Sequence, residues 1–309
     1  MKYIGLHSQI QRNNLRSMLL LIGFPILILI GVYAIFFFGL DGEFEEINYM
    51  FLKTIPFVLI GVAIWFVIAY FSHSAIIKAS SKAKTLSRKE NMRVYNLTEN
   101  LCMSIGMTMP KLYVINSPAL NAFASGLDKN SFSVTLTTGI IDELDDAELE
   151  GVIAHELTHI RNKDVRLLVV SIIFVGIFAF LVQMMTRSFL YSGRGRRRDK
   201  VDGKVMIVAI IVTLVVYFLS ILFRFALSRK REYLADAGAV EMTKNSMALA
   251  SALRKISGNH DLDVKSADLK QMFIENSPTD KKSFMSSISG LFATHPPIEK
   301  RITILERGL

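Results

Sequence analysis

The sequence predicts a mainly α-helical membrane protein with four hydrophobic spans and one cytosolic α+β unit. Three observations predict it. The 309 residues are 51% hydrophobic, and their mean hydropathy is +0.37, too apolar for an ordinary soluble domain. The apolar residues are gathered into four runs, each near the roughly 20 residues that cross a bilayer. Between the second and third runs, strand-like segments lead into His155-Glu156-Leu157-Thr158-His159, a pattern that does its chemistry only on a helix.

Composition also excludes. Cys102 is the only cysteine, so an intrachain disulfide and a cysteine-rich metal site are both ruled out. A reducing compartment fits this. The formal net charge is +9, and the basic residues flank apolar runs. They therefore suit an anionic membrane surface and not nucleic acid.

Residues 1–77 read as a membrane anchor with two spans. The first, residues 17–40, follows a basic segment carrying Lys2, Arg12 and Arg16. It is too long for a signal-peptide core, and no small-x-small cleavage site follows, so it reads as uncleaved. Residues 41–53 form an acidic loop. The second span covers roughly 54–77, and a basic stretch with Lys78, Lys82, Lys84, Arg88, Lys89 and Arg93 comes after it. Basic flanks on either side of an acidic loop place both flanks in the cytosol.

Residues 78–166 make the first cytosolic part. Residues 88–106 have the pattern of an amphipathic helix. Strands are expected at 111–115, 122–125 and 132–136, punctuated by Pro110, Ser117-Pro118 and Asp128-Lys129-Asn130. A helix then starts near 146. Asp145 is a good N-cap, and Glu148 three residues later completes a capping box. The acidic first turn suits the positive end of the helix dipole. On this helix His155 and His159 stand one turn apart on one face, and neutral imidazoles are good Zn²⁺ ligands. Glu156 beside them suits a general base acting on water. The plainer alternative is an amphipathic helix with polar residues turned to solvent.

Residues 167–227 read as a membrane hairpin, with spans at roughly 167–186 and 205–227. The loop between them, 187–204, carries Arg194, Arg196, Arg197, Arg198 and Lys200, which by charge alone belongs in the cytosol. The two segments are nevertheless long enough to cross, and turning backbone inside lipid is costly. Both are expected to cross, with the loop outside.

Residues 228–309 make the second cytosolic part. Two histidines leave a hydrolytic zinc site one protein ligand short. Glu232 is placed to be the third, giving one Zn²⁺ per chain. Asp236, one turn further on, can hold a ligand imidazole through a hydrogen bond. The alternative is a charged, solvated flank of a membrane helix. A further helix is expected over about 241–257.

His155–His159, followed after the hairpin by Glu232-Tyr233-Leu234-Ala235-Asp236, resembles the HtpX-type membrane zinc peptidases. Their wider family includes the CAAX prenyl endopeptidase and Oma. Two further stretches carry the resemblance. Asn121-Ala122-Phe123-Ala124 is similar to the family's edge strand, which implies substrate-backbone binding by Asn121, Ala122 and Phe123. Thr294-His295-Pro296-Pro297 and the residues to Arg301 resemble the tail motif, which implies that His295 acts in catalysis by stabilising the transition state. Read without the family, Asn121–Ala124 is equally an ordinary edge strand with Phe123 in the core. His295 is then a residue before a proline-led helix start.

The resemblance implies a zincin-like (gluzincin) catalytic unit and a multi-pass protein of a bacterial-type inner membrane, its site facing the cytosol. Its implied substrates are misfolded or damaged membrane proteins, or peptides, in quality control and stress response. Other readings are a metal-binding scaffold without turnover, which has no use for Glu156, and a processing peptidase for prenylated peptides. The sequence does not specify an oligomeric state.

Overall fold

The computed structural model describes residues 6–173, 207–215, 229–257 and 297–307. The chain divides into two compact units. One comprises Met1–Asn14, Ser72–Val169 and Phe225–Leu309; the other comprises Leu15–Phe71 and Val170–Arg224.

The second of these units holds most of two long helices, α1 (Leu6–Gly39) and α2 (Phe44–Ser81), whose residues up to Asn14 and from Ser72 onward belong to the first unit. Their apolar stretches, Leu21–Gly39 and Phe44–Ala75, have mean hydropathies of 2.6 and 2.3, and little of either is buried. Ile26, Phe57 and Phe71 are among the large apolar side chains left exposed. A helix apolar on all sides and unburied by protein is suited to lipid. Pro25 and Pro56 lie inside these helices, as membrane helices tolerate. Tyr33 Oη donates to Asn48 Oδ1 at 3.0 Å, linking α1 to α2.

The expected acidic loop at 41–53 is shorter than the charge pattern suggested. Helix α2 already starts at Phe44, with Glu45 and Glu46 in its first turn, where the helix dipole favours them. Of the third and fourth apolar runs, residues 164–173 and 207–215 are helical. The rest of both runs, with the basic loop 187–204, lies outside the described residues.

The first unit holds a four-stranded mixed sheet and the helices packed around α5. The strands are β1 (Lys84–Thr85), β2 (Lys111–Ile115), β3 (Ala122–Ser125) and β4 (Ser133–Thr137), in the order β1-β2-β4-β3. β2 and β4 are parallel, and the outer pairs are antiparallel. β3 therefore forms one edge of the sheet. It ends at Gly126, whose φ of +121 is open only to glycine. A Cβ there would also meet the Ser131 carbonyl oxygen at 2.6 Å.

The helices of this unit are α3 (Met92–Ser104), α4 (Thr138–Glu143), α5 (Asp146–Arg161), α6 (Arg229–Thr243), α7 (Ser246–Ile256) and α8 (Ile298–Glu306). α3 is shorter than the expected 88–106, because Asn91 caps it by accepting from the Val94 N–H. The helix expected at 241–257 is two helices. Lys244 adopts φ +54 and Asn245 caps a new start. α5 is the centre of the unit: α3, α6, α7 and β3 all pack on it, and Leu149, Val152, Ile153 and Leu157 are fully buried. Each such side chain contributes about 1.5–3 kcal/mol of burial. Arg93 of α3 fixes the start of α5. It donates to the carbonyls of Ile141 (2.7 Å) and Leu144 (2.6 Å) and pairs with Asp146.

Candidate metal centre

The site begins with a helix start. Asp145 accepts from the Glu148 N–H at 2.9 Å, and Glu148 accepts from the Asp145 N–H at 3.0 Å, so the expected capping box is formed. That fixes the phase of α5 and turns its second and third turns inward. His155 and Glu156 are almost wholly buried, and His159 is partly so.

Helix α6 brings Glu232 and Asp236 to the same place. It approaches α5 closely because residue 238 is glycine: a Cβ there would sit 2.4 Å from Thr158 Cγ2. Ala235 and Ala239 beside it are fully buried. As a result the ligand atoms of His155, His159 and Glu232 lie within 4.8 Å of one another. Glu232 Oε2 is 3.6 Å from His155 Nε2, and Glu232 Oε1 is 3.6 Å from His159 Nε2. These separations fit one tetrahedral ion with ligand bonds of about 2.0–2.2 Å. Two imidazoles and one carboxylate also form a donor set used by hydrolytic zinc sites.

Each histidine has a carboxylate behind it. His155 Nδ1 lies 3.0 Å from Asp236 Oδ1, and His159 Nδ1 lies 3.2 Å from Asp164 Oδ2. Such partners fix the ring's orientation and leave the other nitrogen to face the ion. Asp164 comes into reach through a tight chain reversal. α5 ends at Arg161, and Lys163 takes φ +60, the left-handed conformation that often closes a helix. Asp236 is held in turn by Arg301 of α8, whose Nε donates to Oδ2 at 2.9 Å and Nη2 to Oδ1 at 2.7 Å. Arg301 Nη1 also lies 3.4 Å from Glu232 Oε2.

The charge balance favours a cation. Glu156, Asp164, Glu232 and Asp236 are all buried around the two histidines, and Arg301 pairs with Glu232 and Asp236. Burial alone would lower the pKa of His155, but hydrogen bonds to Asp236 and Glu232 outweigh it and push the ring up to about 9. For Asp236 burial works upward; the Arg301 charge and the His155 and Arg301 hydrogen bonds hold the carboxyl below its ordinary value. Burial raises the Glu156 carboxyl above its ordinary value, against the pull of His155 and His159. A carboxyl raised in this way is better matched to taking a proton near neutral pH.

β3 packs on α5, and the Ala124 backbone is close enough to Glu156 to pull its carboxyl downward, against the effect of burial. This places the edge strand β3 beside the carboxylate. The Thr137 N–H donates to the Asn121 carbonyl at 3.0 Å. By alternation the main-chain groups of Asn121 and Phe123 are then directed to β4, and those of Ala122 and Ala124 point off the edge. Asn121 and Phe123 are buried, and the Asn121 Oδ1 accepts from the Ala122 N–H at 2.9 Å. His295 lies outside the described residues; Pro297 and α8 follow it.

Two residues of the cluster, Asp164 and Arg301, stand in stretches that resemble the family's but have no role assignable from the sequence. Asp164 stands beyond the helix end, where nothing local says that it folds back. Arg301 belonged to the tail stretch already noticed, and a signal was available there: an arginine among the core-spaced residues Ile298, Arg301 and Leu305 is a buried charge in need of a partner.

The model of Peptidase family M48 matches residues 88–308. A protein of Bacteroides fragilis called "Protease HtpX homolog" is 54% identical over a 321-residue alignment covering 99% of this chain and 100% of that protein. A protein of the same name from Dictyoglomus thermophilum is 38% identical, covering 98% and 94%. The crystal structure of S. mikatae Ste24p is similar in fold, with a TM-score of 0.51 at 19% identity, covering 96% of this chain and 67% of that one.

Proposed function

Because the chain belongs to peptidase family M48 and is an HtpX-type membrane metallopeptidase, we propose that one Zn²⁺ held by His155, His159 and Glu232 serves peptide-bond hydrolysis at the cytosolic face of a bacterial-type inner membrane. The observation that carries this reading is the convergence of those three donors within 4.8 Å, with the buried carboxylate of Glu156 next to them. Zinc in such a site acidifies water and polarises a carbonyl.

The chain's own residues do the rest. Glu156 takes the proton of the attacking water and hands it to the leaving amine. Asp236 and Asp164 keep the two imidazoles turned toward the ion. Arg301 keeps Asp236 ionised and in place. His295 donates to the oxygen of the scissile carbonyl as charge develops on it. An extended substrate segment lies along β3, where the outward carbonyls of Ala122 and Ala124 accept hydrogen bonds independent of side-chain sequence, flanked by Asn121 and Phe123. That tolerance, together with the two lipid-suited helices, supports misfolded or damaged membrane proteins as substrates; that the third and fourth spans both cross is proposed from their length alone. Burial of Glu156 inside the cluster favours turnover over a scaffold role.

The test is metal analysis of the purified full chain beside hydrolysis of casein and of an unfolded membrane protein. One zinc per chain is expected, with activity lost to a chelator and regained with zinc. A protein that hydrolyses both equally well after complete metal removal contradicts the reading.

A further inference from the structure

Alternation along the strands gives the sheet two unlike faces. Leu112, Ala122, Ala124, Val134 and Leu136 make one, all apolar and buried. By the same register Lys111, Tyr113, Ser125, Ser133 and Thr135 share the other with Thr137 and the buried apolar residues Ile115 and Phe123. Ser125, Ser133 and Thr135 are buried nonetheless. A small cavity of about 20 Å³ lies over them, and its opposite wall is Ser74, Lys78 and Ser81 from the last turns of α2.

The lining is hydroxyls, two lysines and Ala83, with no carboxylate among the described residues. Hydroxyls and ammonium groups together donate to an anion. Lys78 is held at this face: its Nζ donates to Thr85 Oγ1 at 3.3 Å and stands 5.3 Å from the centre of the Tyr113 ring. Lys111 stands exposed on the same face. The Ser125 and Ser133 hydroxyls are 2.7 Å apart at the floor. The enclosed space is little more than one water needs, so a phosphate group would rest at its mouth, where Lys78 and Lys111 are exposed.

The position within α2 identifies the source. The apolar stretch of this helix ends at Ala75, so Ser74, Lys78 and Ser81 fall where a span passes from hydrocarbon into the headgroup layer. Lys82, Lys84 and Lys89 follow and are exposed, which adds attraction for anionic lipid. We infer that this cavity, formed by Lys78, Lys111 and the hydroxyl face of the sheet, binds the phosphate of an anionic phospholipid headgroup. A free phosphate ion shares that chemistry and is the other source to be distinguished. The site is separate from the metal cluster.

The experiment is calorimetric titration of the detergent-purified full chain with three probes: dihexanoyl phosphatidylglycerol, dihexanoyl phosphatidylcholine and inorganic phosphate. Saturable binding of phosphatidylglycerol, tighter than of the other two, is expected. Lys78→Gln with Lys111→Gln should weaken it about tenfold or more, from the loss of two charge-assisted bonds. The control pair Lys129→Gln with Lys300→Gln, both exposed and outside this lining, should change it less than about twofold. Ser133→Val, which keeps both lysines, should also weaken it, with thermal unfolding confirming that the variant is folded. Equal losses in the two lysine pairs, equal binding of the two lipids, or no saturable binding would overturn the proposal. Inorganic phosphate binding as tightly as phosphatidylglycerol at the same lysines would overturn the headgroup assignment.

Discussion

Arg301 and Asp236 form a two-pronged, fully buried ion pair, Nε to Oδ2 at 2.9 Å and Nη2 to Oδ1 at 2.7 Å. It joins the C-terminal helix to the helix that carries Glu232. Since Asp236 also touches His155, the pair transmits the position of α8 to the metal site.

Arg301→Leu should therefore destabilise the protein and loosen the site together. It strands a buried carboxylate, which costs about 3–5 kcal/mol. Arg301→Lys keeps the charge but cannot fork, and should recover only part. Thermal unfolding and zinc stoichiometry check both; an Arg301→Leu protein with unchanged melting and full zinc would contradict the role.

Asp236→Asn and Asp164→Asn should each weaken zinc affinity by about 10–100-fold without abolishing it. Glu232→Ala should remove zinc altogether. Competition with a calibrated chelator separates these cases. Equal affinities in all three variants would show that the supporting carboxylates and the ligand had been misassigned.

Gly238→Ala sets two effects against each other. Alanine gains about 1 kcal/mol of helix propensity, but its Cβ would lie 2.4 Å from Thr158 Cγ2, and overpacking of this kind costs about 1–3 kcal/mol. The contact is with a packed side chain on a neighbouring helix, so the loss should win. Lower melting temperature and reduced zinc retention are expected, both partly restored by adding Thr158→Ala. A more stable Gly238→Ala protein would mean that the two helices can move apart freely.

Glu148 supplies a pH signature distinct from the metal. Burial raises its carboxyl, but Lys255 at 2.7 Å, Ser251 at 2.7 Å and the Asp145 N–H outweigh that and hold it below 4.5. A carboxylate lowered on folding stabilises the protein fully above its unfolded value. The contribution is lost as pH falls from about 4.5 through the lower folded value. Glu148→Gln should flatten the stability profile in that acid window. An unchanged acid profile would remove Glu148 as a source of stability.

What the sequence made legible was local. The start of α5 could be read because Asp145 and Glu148 lie three residues apart. Strands at 111–115 and 122–125 were found as expected, since proline and polar turns bound them. β1 was missed because two residues leave no pattern, and it exists only by pairing with β2. The mixed strand order depends on contacts between distant segments and has no local signature. The break at Lys244 and Asn245 interrupts an otherwise helical pattern with a single left-handed residue. In the site, His155, His159 and Glu232 were legible because metal chemistry constrains both type and spacing. Asp164 and Arg301 were not, because their partners are defined only once the chain has turned back.

In the proposed mechanism Glu156 moves the proton while three other residues hold the metal. Glu156→Gln preserves the shape of the side chain and leaves all three ligands in place. Zinc content and proteolysis should be measured on the same purified sample, beside wild type. One zinc per chain is expected, as in wild type, with hydrolysis abolished. Near-normal turnover in that variant would contradict the mechanism.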